Sequence, residues 1–315
     1  MGQYEETEKQ YLFSLEADPN NVAVHSDYGN LLEEMGRNEE AEKQYILALK
    51  VDPKNAYVHC NYGNLLRQFG RKKEAEKQYI LAIKANSNNA EAHCNYGNIL
   101  SEMERYKEAK KQYIRALKTD QNNAEAHYNY GNLLQQMEHD KEAEKQYILA
   151  LKTNPKYISI YYTYGSFLQR MECYEEADKQ YQLALEADPN NAYTHFYYGI
   201  LLSERECYEE AEKQYILALK VDPNNTSAHS YYGLLLAETG RYDKAEKQYI
   251  LALKAEPNDI DTHYYYGDLL EEMGRNEEAE KHYRLFAKDS SHNKLCTSPI
   301  VRLDFHNQGR QSKFQ

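Results

Sequence analysis

The stretch Val22 to Asn55, VAVHSDYGNLLEEMGRNEEAEKQYILALKVDPKN, decides the fold of this chain because it recurs in altered form seven more times. The copies begin at residues 22, 56, 90, 124, 158, 192, 226 and 260, a period of 34 residues that never slips. A fixed period of this length indicates one supersecondary unit that is copied and stacked into an array. Positions are counted within each repeat, with Val22 as position 1 of the first.

Each repeat predicts two helices. In the first repeat His25, Tyr28 and Leu32 follow the spacing of one helical face, and Ala41 and Tyr45 continue that spacing in a second segment. Turn-prone residues separate the two segments, and a proline at position 32 ends the second helix. Alternating apolar and polar runs, which indicate strands, are absent from the sequence. The pattern therefore predicts an all-α fold.

Glycine at position 8 is the most regular feature of the repeats. The glycines are Gly29, Gly63, Gly97, Gly131, Gly165, Gly199, Gly233 and Gly267. Glycine inside a helix costs about 1 kcal/mol relative to alanine, so eight copies require a structural compensation. We predict close packing at each glycine, with the small alanine of position 20 in the second helix approaching it.

The repeat closely resembles the tetratricopeptide repeat family, whose pattern it matches over residues 4–293. The matching residues in the first repeat are Gly29, Leu32, Ala41, Tyr45, Ala48 and Pro53. The resemblance implies a right-handed superhelical α-solenoid of antiparallel helix pairs, with the first helices lining a concave groove. One departure is systematic, because position 4 is histidine in seven repeats and Tyr161 in the fifth.

The period also predicts the domain organisation. Residues 1–21 match the second half of a repeat, residues 22–293 hold eight repeats, and residues 294–315 leave the register. The eight repeats span 22–55, 56–89, 90–123, 124–157, 158–191, 192–225, 226–259 and 260–293. The initial half repeat is either a cap or the result of a start at an internal methionine of a longer array. We expect the final segment to fray, with Ile300, Val301, Leu303 and Phe305 as a short apolar cap.

Composition limits the classes of function. The formal net charge of −12 argues against a nucleic-acid partner. No run of about 18 apolar residues predicts a membrane span, and no secretory signal begins the chain. Five cysteines, an odd number, in scattered positions favour a reducing compartment, and we expect a cytoplasmic protein. No phosphate-binding, zinc-protease or paired-cysteine motif is present, so we expect no cofactor, no metal and no enzymatic activity.

The histidines of position 4 form a column through the array. They are His25, His59, His93, His127, His195, His229 and His263. Rings one repeat apart lie about 10 Å from each other, whereas a metal needs ligands about 2 Å from one ion. We therefore interpret them as packing residues, and we hypothesise that their protonation below about pH 6 loosens the array.

The candidate binding surface lies at the groove-facing positions that the resemblance implies. Asparagine stands at position 9 in the first four repeats and at position 6 in the second to fourth, and these residues are Asn30, Asn61, Asn64, Asn95, Asn98, Asn129 and Asn132. Asparagine offers one carbonyl acceptor and two N–H donors, which suit the backbone of an extended peptide. This row resembles the asparagine ladder in the repeat arm of O-linked N-acetylglucosamine transferases. The alternative is that asparagine is merely a tolerated solvent-facing residue.

The last three repeats change the character of this surface to aromatic. The candidate peptide anchors there are Phe196, Tyr197, Tyr231, Tyr264 and Tyr265. The alternative is that these rings only add packing between first helices. A clamp for a C-terminal carboxylate, as in chaperone adaptors of this family, is not predicted, because position 5 is never basic.

These patterns predict a non-enzymatic scaffold that binds a peptide segment of another protein in its concave groove. The second hypothesis is a substrate-recruiting arm of a larger enzyme such as a glycosyltransferase. The third is self-association through the open ends of the array. Partners are expected to be proteins or peptides, without nucleic acid or membrane.

Overall fold

The computed structural model describes the backbone of residues 2–290 and the side chains of residues 4–285. Every regular element in this part of the chain is an α-helix, as the sequence predicted. The helices are α1 (Gly2–Ala17), α2 (Val22–Glu34), α3 (Asn38–Val51), α4 (Ala56–Gln68), α5 (Lys72–Ala85), α6 (Ala90–Glu102), α7 (Tyr106–Thr119), α8 (Ala124–Gln136), α9 (Asp140–Thr153), α10 (Ile158–Arg170), α11 (Tyr174–Ala187), α12 (Ala192–Glu204), α13 (Tyr208–Val221), α14 (Thr226–Glu238), α15 (Tyr242–Ala255), α16 (Ile260–Glu272) and α17 (Asn276–Ser290).

The chain divides into two compact bodies, each of which is a stack of helix pairs. The N-terminal body comprises residues 1–155 with α1 to α9, and the C-terminal body comprises residues 156–315, described from α10 to α17. In both bodies each even-numbered helix packs most extensively on the helix that follows it, and it also contacts the next even-numbered helix. The even-numbered helices are therefore the first helices of the repeats. We propose the division into a half repeat and eight repeats on this basis, while residues 294–315 lie outside the described part.

Asparagine side chains start most of the first helices. The Oδ1 atom of Asn21 accepts a hydrogen bond from the Val24 N–H at 3.1 Å, which satisfies one of the free donors at the start of α2. Asp259 caps α16 in the same way. Only α10, which follows Tyr157, lacks such a side-chain cap among the first helices described. The repeated asparagine at position 34 is thus a helix-start signal.

The turn inside each helix pair needs a left-handed residue at position 15. Gly36 adopts φ +73° there, and glycine takes this conformation without steric cost. Four repeats place glutamate at the same point, as at Glu138 with φ 58°. A non-glycine residue in this region is strained by about 1–2 kcal/mol.

The predicted close packing at position 8 is present, but its partner is different from the one we expected. A Cβ added to Gly29 would lie 2.7 Å from Cε1 of Tyr45, closer than carbon atoms approach without displacement. The same contact with the position-24 tyrosine recurs at the other seven helical glycines. Ala41 is fully buried, but it is not what the missing Cβ makes room for. The tyrosine side chain is long enough to reach the glycine across the helix interface, and an alanine methyl is not.

An ionic junction links consecutive repeats. Glu8 in α1 accepts hydrogen bonds from the Tyr28 hydroxyl at 2.7 Å and the Arg37 guanidinium at 2.6 Å, both from the next repeat. The Tyr28 bond first, and then Arg37, lower the pKa of Glu8 against the opposing effect of burial. Glu246 receives the equivalent bonds from Tyr266 and Arg275 in the C-terminal body. These charge-assisted bonds hold the second helix of one repeat, α1 or α15, against the first helix of the next repeat, α2 or α16.

Candidate functional site

The position-9 asparagines of the N-terminal body are held by buried tyrosines. The Tyr79 hydroxyl donates to Asn64 Oδ1 at 2.8 Å, and the Tyr113 hydroxyl donates to Asn98 Oδ1 at 2.7 Å. Asn30 and Asn132 accept the same bond from the tyrosines of their own repeats. The side chains are half-buried, so one edge of each amide stays accessible. Because the carbonyl oxygen accepts the tyrosine hydroxyl, Asn64, Asn98 and Asn132 offer their N–H groups to a ligand, whereas Asn30 already donates through Nδ2 to the Tyr57 hydroxyl at 3.3 Å.

The position-6 asparagines show the opposite polarity. Asn61 donates through Nδ2 to Asn30 Oδ1 at 3.0 Å, which joins neighbouring repeats. Asn95 and Asn129 point Nδ2 toward the sulfur atoms of Cys60 and Cys94, at 3.6 and 3.9 Å. Their amide donors thus face the protein, and the carbonyl oxygens are left for a ligand. Asn95 is the most covered of the three, with 8% of its surface exposed.

Together these contacts orient the asparagines into two rows, one of N–H donors and one of carbonyl acceptors. An extended peptide backbone also alternates donors and acceptors along its length. The surrounding first helices, α2, α4, α6 and α8, carry six acidic residues and only Arg67 as a basic one, a formal charge of −5. Arg67 is itself paired with Glu102 at 2.7 Å. The surface therefore suits the backbone of a neutral or basic segment.

The predicted aromatic residues of the C-terminal body mostly pack on one another. Phe196 lies edge-on to Tyr231 with ring centroids 5.3 Å apart, and Tyr231 lies edge-on to Tyr265 at 6.2 Å. Each of the three is less than 9% exposed. Tyr197 and Tyr264 are half-buried and keep part of their rings accessible. Packing of the first helices thus brings the five predicted aromatic residues together. The same packing covers the rings of Phe196, Tyr231 and Tyr265.

An aromatic stack next to these rings was missed by the sequence analysis. Tyr162 of α10 lies between two tyrosines of α12, 5.7 Å from Tyr197 at an interplanar angle of 9° and 6.1 Å from Tyr193 at 22°. Tyr193 is 59% exposed, so the stack ends in an open ring face. The sequence signal for this stack is a tyrosine at position 5 of one repeat and tyrosines at positions 2 and 6 of the next repeat. The stack offers a flat platform for an apolar or cationic side chain.

Acidic groups border the aromatic surface. The Asp268 carboxylate accepts a hydrogen bond from the Tyr283 hydroxyl at 2.8 Å. Burial raises the pKa of Tyr249 well above its ordinary range, and Tyr265, Asp268 and Glu238 add to that effect. The first helices of this body, α10, α12, α14 and α16, also carry six acidic residues and one arginine, a formal charge of −5.

The histidine column is hydrogen-bonded inside the helix pairs. His25 places Nδ1 2.7 Å from Gln44 Oε1 and Nε2 3.0 Å from the carbonyl oxygen of Pro19. The same two contacts recur at five further histidines of the column, and in the last repeat His263 meets His282 through their Nδ1 atoms at 2.8 Å. Burial and the charge of His263 lower the pKa of His282. The glutamine side-chain amide can rotate to present either its oxygen or its nitrogen to the histidine ring. This geometry therefore gives no support to the hypothesis that acid loosens the array, which stays a prediction.

The described residues show neither a metal site nor a membrane span. Within them, no three or more histidine, cysteine, aspartate or glutamate side chains are arranged to hold a metal ion. The helices of this part of the chain also lack the combination of length and apolar content that crossing a membrane requires.

Sequence models of known families match much of the chain. A model described as TPR repeat matches residues 29–70 and 97–138. Three models described as tetratricopeptide repeat match residues 201–260, residues 79–111 and 181–213, and residues 56–89, 124–157 and 158–191. No curated protein matches the chain.

Solved structures show the same fold at low sequence identity. The structure reported for the functional characterization of Pseudomonas aeruginosa pilF is 22% identical, with a TM-score of 0.59 over 69% of this chain and 97% of its own. The APC/C hetero-tetramer Cut9–Hcn1 is 16% identical, with a TM-score of 0.67 over 85% of this chain and 52% of its own. YrrB, described as a TPR protein with an unusual peptide-binding site, is 26% identical, with a TM-score of 0.45 over 58% of this chain and 95% of its own. Since the repeat models together span residues 29–260 and both bodies are built of the corresponding helix pairs, the chain belongs to the tetratricopeptide repeat family.

Proposed function

We propose that this chain is a non-enzymatic interaction scaffold whose N-terminal body binds an extended peptide along the two asparagine rows. The observation that carries the proposal is the polarity of the rows. Tyrosine hydroxyls occupy the carbonyl oxygens of Asn64 and Asn98, so these amides present N–H groups, while Asn61 and Asn129 present oxygens. Such a surface recognises a peptide backbone with little dependence on its side chains.

The acidic first helices favour a particular class of peptide. With a formal charge of −5 on α2, α4, α6 and α8, an acidic segment is repelled and a basic one is attracted. The four described cysteines are free thiols, and together with their odd number in the sequence this supports a reducing, cytoplasmic setting. A basic cytoplasmic protein segment is therefore the partner class that we propose.

The test removes the asparagine N–H donors but keeps the oxygen atoms that accept the tyrosine hydroxyls. In Asn64→Asp/Asn98→Asp, the carboxylates still accept from Tyr79 and Tyr113, but the N–H groups are lost. Asp268 occupies the same position naturally and accepts from Tyr283 at 2.8 Å, which shows that the geometry accommodates a carboxylate. Two lost hydrogen bonds of about 0.5–1.5 kcal/mol each predict affinity about 5- to 150-fold weaker.

The probes are fluorescent 15-residue peptides selected on the parent protein from a random display library and measured by anisotropy. We expect alanine replacement of their side chains to weaken binding little and methylation of alternate backbone nitrogens to weaken it strongly. The matched control is Asn122→Asp, an exposed amide in a repeat-connecting turn. Equal affinity for the double variant and the parent would sink the proposal.

A second binding surface is proposed for the C-terminal body, where the stack of Tyr162, Tyr193 and Tyr197 ends in an open ring. An apolar or cationic side chain of a partner packs on this ring. The role of Phe196, Tyr231 and Tyr265 as anchors stays a prediction, since a ligand reaches them only if their mutual packing opens. Tyr193→Ala is expected to weaken peptides selected on this surface, with Tyr242→Ala as the control on a second helix.

A further inference from the structure

The C-terminal body combines an acidic face with partly open aromatic and aliphatic side chains. The Asp268 carboxylate of α16 accepts a hydrogen bond from the Tyr283 hydroxyl at 2.8 Å, and the first helices of this body, α10, α12, α14 and α16, carry a formal charge of −5. Half-buried apolar side chains on the same helices include Ile200, Leu234 and Tyr264. The face thus calls for an occupant that carries both positive charge and apolar side chains.

The end of the sequence has this composition. Residues 291–315 contain Lys294, Arg302, Arg310 and Lys313 against one acid, Asp304, a formal charge of +3. The whole chain carries −12, so the remaining residues carry −15. The apolar residues Ile300, Val301, Leu303 and Phe305 surround Arg302. Residues 291–315 therefore combine a net positive charge with a cluster of apolar residues.

The connection allows the segment to reach that face. Helices α16 and α17 are joined by three residues and run antiparallel, so Ser290 at the end of α17 lies at the same end of the pair as the start of α16 at Ile260. A first helix of 13 residues is about 20 Å long. The 25 residues after Ser290 can span up to about 80 Å, which exceeds the length of the helices that form the face.

We propose that residues 291–315 bind in cis to the acidic aromatic face of the C-terminal body and compete with partner peptides for it. The proposal rests on the binding function proposed above for this face. Arg302 and its apolar neighbours match the open ring of Tyr193 and the half-buried Ile200 and Leu234, and the further basic residues match the carboxylates. The device is autoinhibitory, because a partner must displace the chain's own segment.

The magnitude follows from the tether. A short tether gives an effective concentration on the order of 1 mM. If the free segment binds with a Kd of about 10–100 μM, the tethered segment lowers the apparent affinity of a competitor about 10- to 100-fold. The contact depends on charge, so raising salt from 0.05 M to 0.5 M weakens it, because exposed charges are screened over a shorter distance.

The first experiment uses the full chain with the photoreactive residue p-benzoylphenylalanine in place of Tyr193. Illumination is expected to join this site to residues 291–315 of the same chain, and the yield should fall in 0.5 M salt. The control carries the photoreactive residue at Tyr242, which is 36% exposed at the start of α15 on a second helix. A mixture of ¹⁵N-labelled and unlabelled chains distinguishes adducts within one chain from adducts between copies. Adducts to other regions only, or only between copies, overturn the proposal.

The second experiment measures competition. A fluorescent synthetic peptide with the sequence of residues 291–315 is titrated with the full chain and with Arg302→Glu/Arg310→Glu/Lys313→Glu. The variant is expected to bind the free peptide 10- to 100-fold more tightly than the parent, because its own segment no longer occupies the face. Equal binding overturns the cis contact. If library peptides bind parent and variant equally well at Tyr193, the binding function stands and only the autoinhibition is wrong; if nothing binds either, both are wrong.

Discussion

The hydroxyl of Tyr249 is buried in the C-terminal body without a hydrogen-bond partner. The corresponding hydroxyl of Tyr113 donates to Asn98 at 2.7 Å. The difference arises because the equivalent of Asn98 in this repeat is Leu234, which has no acceptor. The two rings are otherwise matched, since both lie at position 24, both are at most 2% exposed, and both cover a helical glycine.

We therefore expect replacement by phenylalanine to have opposite effects at these two sites. Tyr249→Phe removes an unsatisfied buried hydroxyl and should raise the free energy of unfolding by about 1–3 kcal/mol. Tyr113→Phe removes a satisfied one and should lower it by about 0.5–1.5 kcal/mol. Leu234→Asn should stabilise the parent, because the asparagine supplies an acceptor for the Tyr249 hydroxyl. The same substitution should not stabilise Tyr249→Phe, which has no hydroxyl. The two substitutions therefore form a double-mutant cycle with an expected coupling energy of about 1 kcal/mol.

Urea unfolding followed by circular dichroism is the primary assay, with the requirement that the slope stays unchanged. Repeat arrays can unfold in parts. Hydrogen exchange of the α15 backbone amides therefore measures the local stability of the repeat that contains Tyr249. The reasoning is refuted if Tyr249→Phe is destabilising by as much as Tyr113→Phe. That result would mean that the Tyr249 hydroxyl has a partner in solution.

Three further perturbations test the backbone, the junctions and the glycine contact. Glu138→Gly relieves a left-handed glutamate at φ 58° and should stabilise by about 1 kcal/mol, whereas Lys145→Gly in the middle of α9 should destabilise by about the same amount; thermal melts of both decide. Burial raises the pKa of Glu246, but the hydrogen bonds from a tyrosine and an arginine outweigh burial, so the pKa is lowered. The contribution of Glu246 to stability is therefore complete above the ordinary glutamate pKa near 4.5, and it is lost as pH falls through the lowered pKa. Glu246→Gln should therefore cost about 1 kcal/mol at pH 6 and progressively less toward pH 3, as measured by urea midpoints. The matched control is the same substitution at exposed Glu277. Gly131→Ala gains helix propensity but places a Cβ 2.9 Å from a buried tyrosine ring, and we expect a net loss of about 1–2 kcal/mol in chemical unfolding; a net gain would contradict the packing explanation.

The helices and their order followed from the sequence because they depend on local spacing. The 34-residue period, the apolar stripe of the first helix and the proline after the second predicted two helices in each repeat, and α2 (Val22–Glu34) and α3 (Asn38–Val51) are the first such pair. The close approach at Gly29 was also predictable, since a buried helical glycine needs a reason. Its partner was not, because whether Ala41 or the ring of Tyr45 meets the glycine depends on how far a side chain reaches across the interface.

The amides and rings at positions 2, 5, 6 and 9 of the repeats can be read from the sequence, whereas what each side chain presents to a ligand depends on the tertiary structure. Asn98 is an N–H donor toward the outside because a tyrosine from the second helix occupies its oxygen. Tyr231 is covered and Tyr193 is open because neighbouring first helices surround one ring and leave the other at the edge of a stack. Hydrogen-bond polarity and exposure depend on how side chains of different helices meet, within one repeat for Asn98 and Tyr113 and between repeats for Tyr162 and Tyr193, so the spacing along the chain does not contain them.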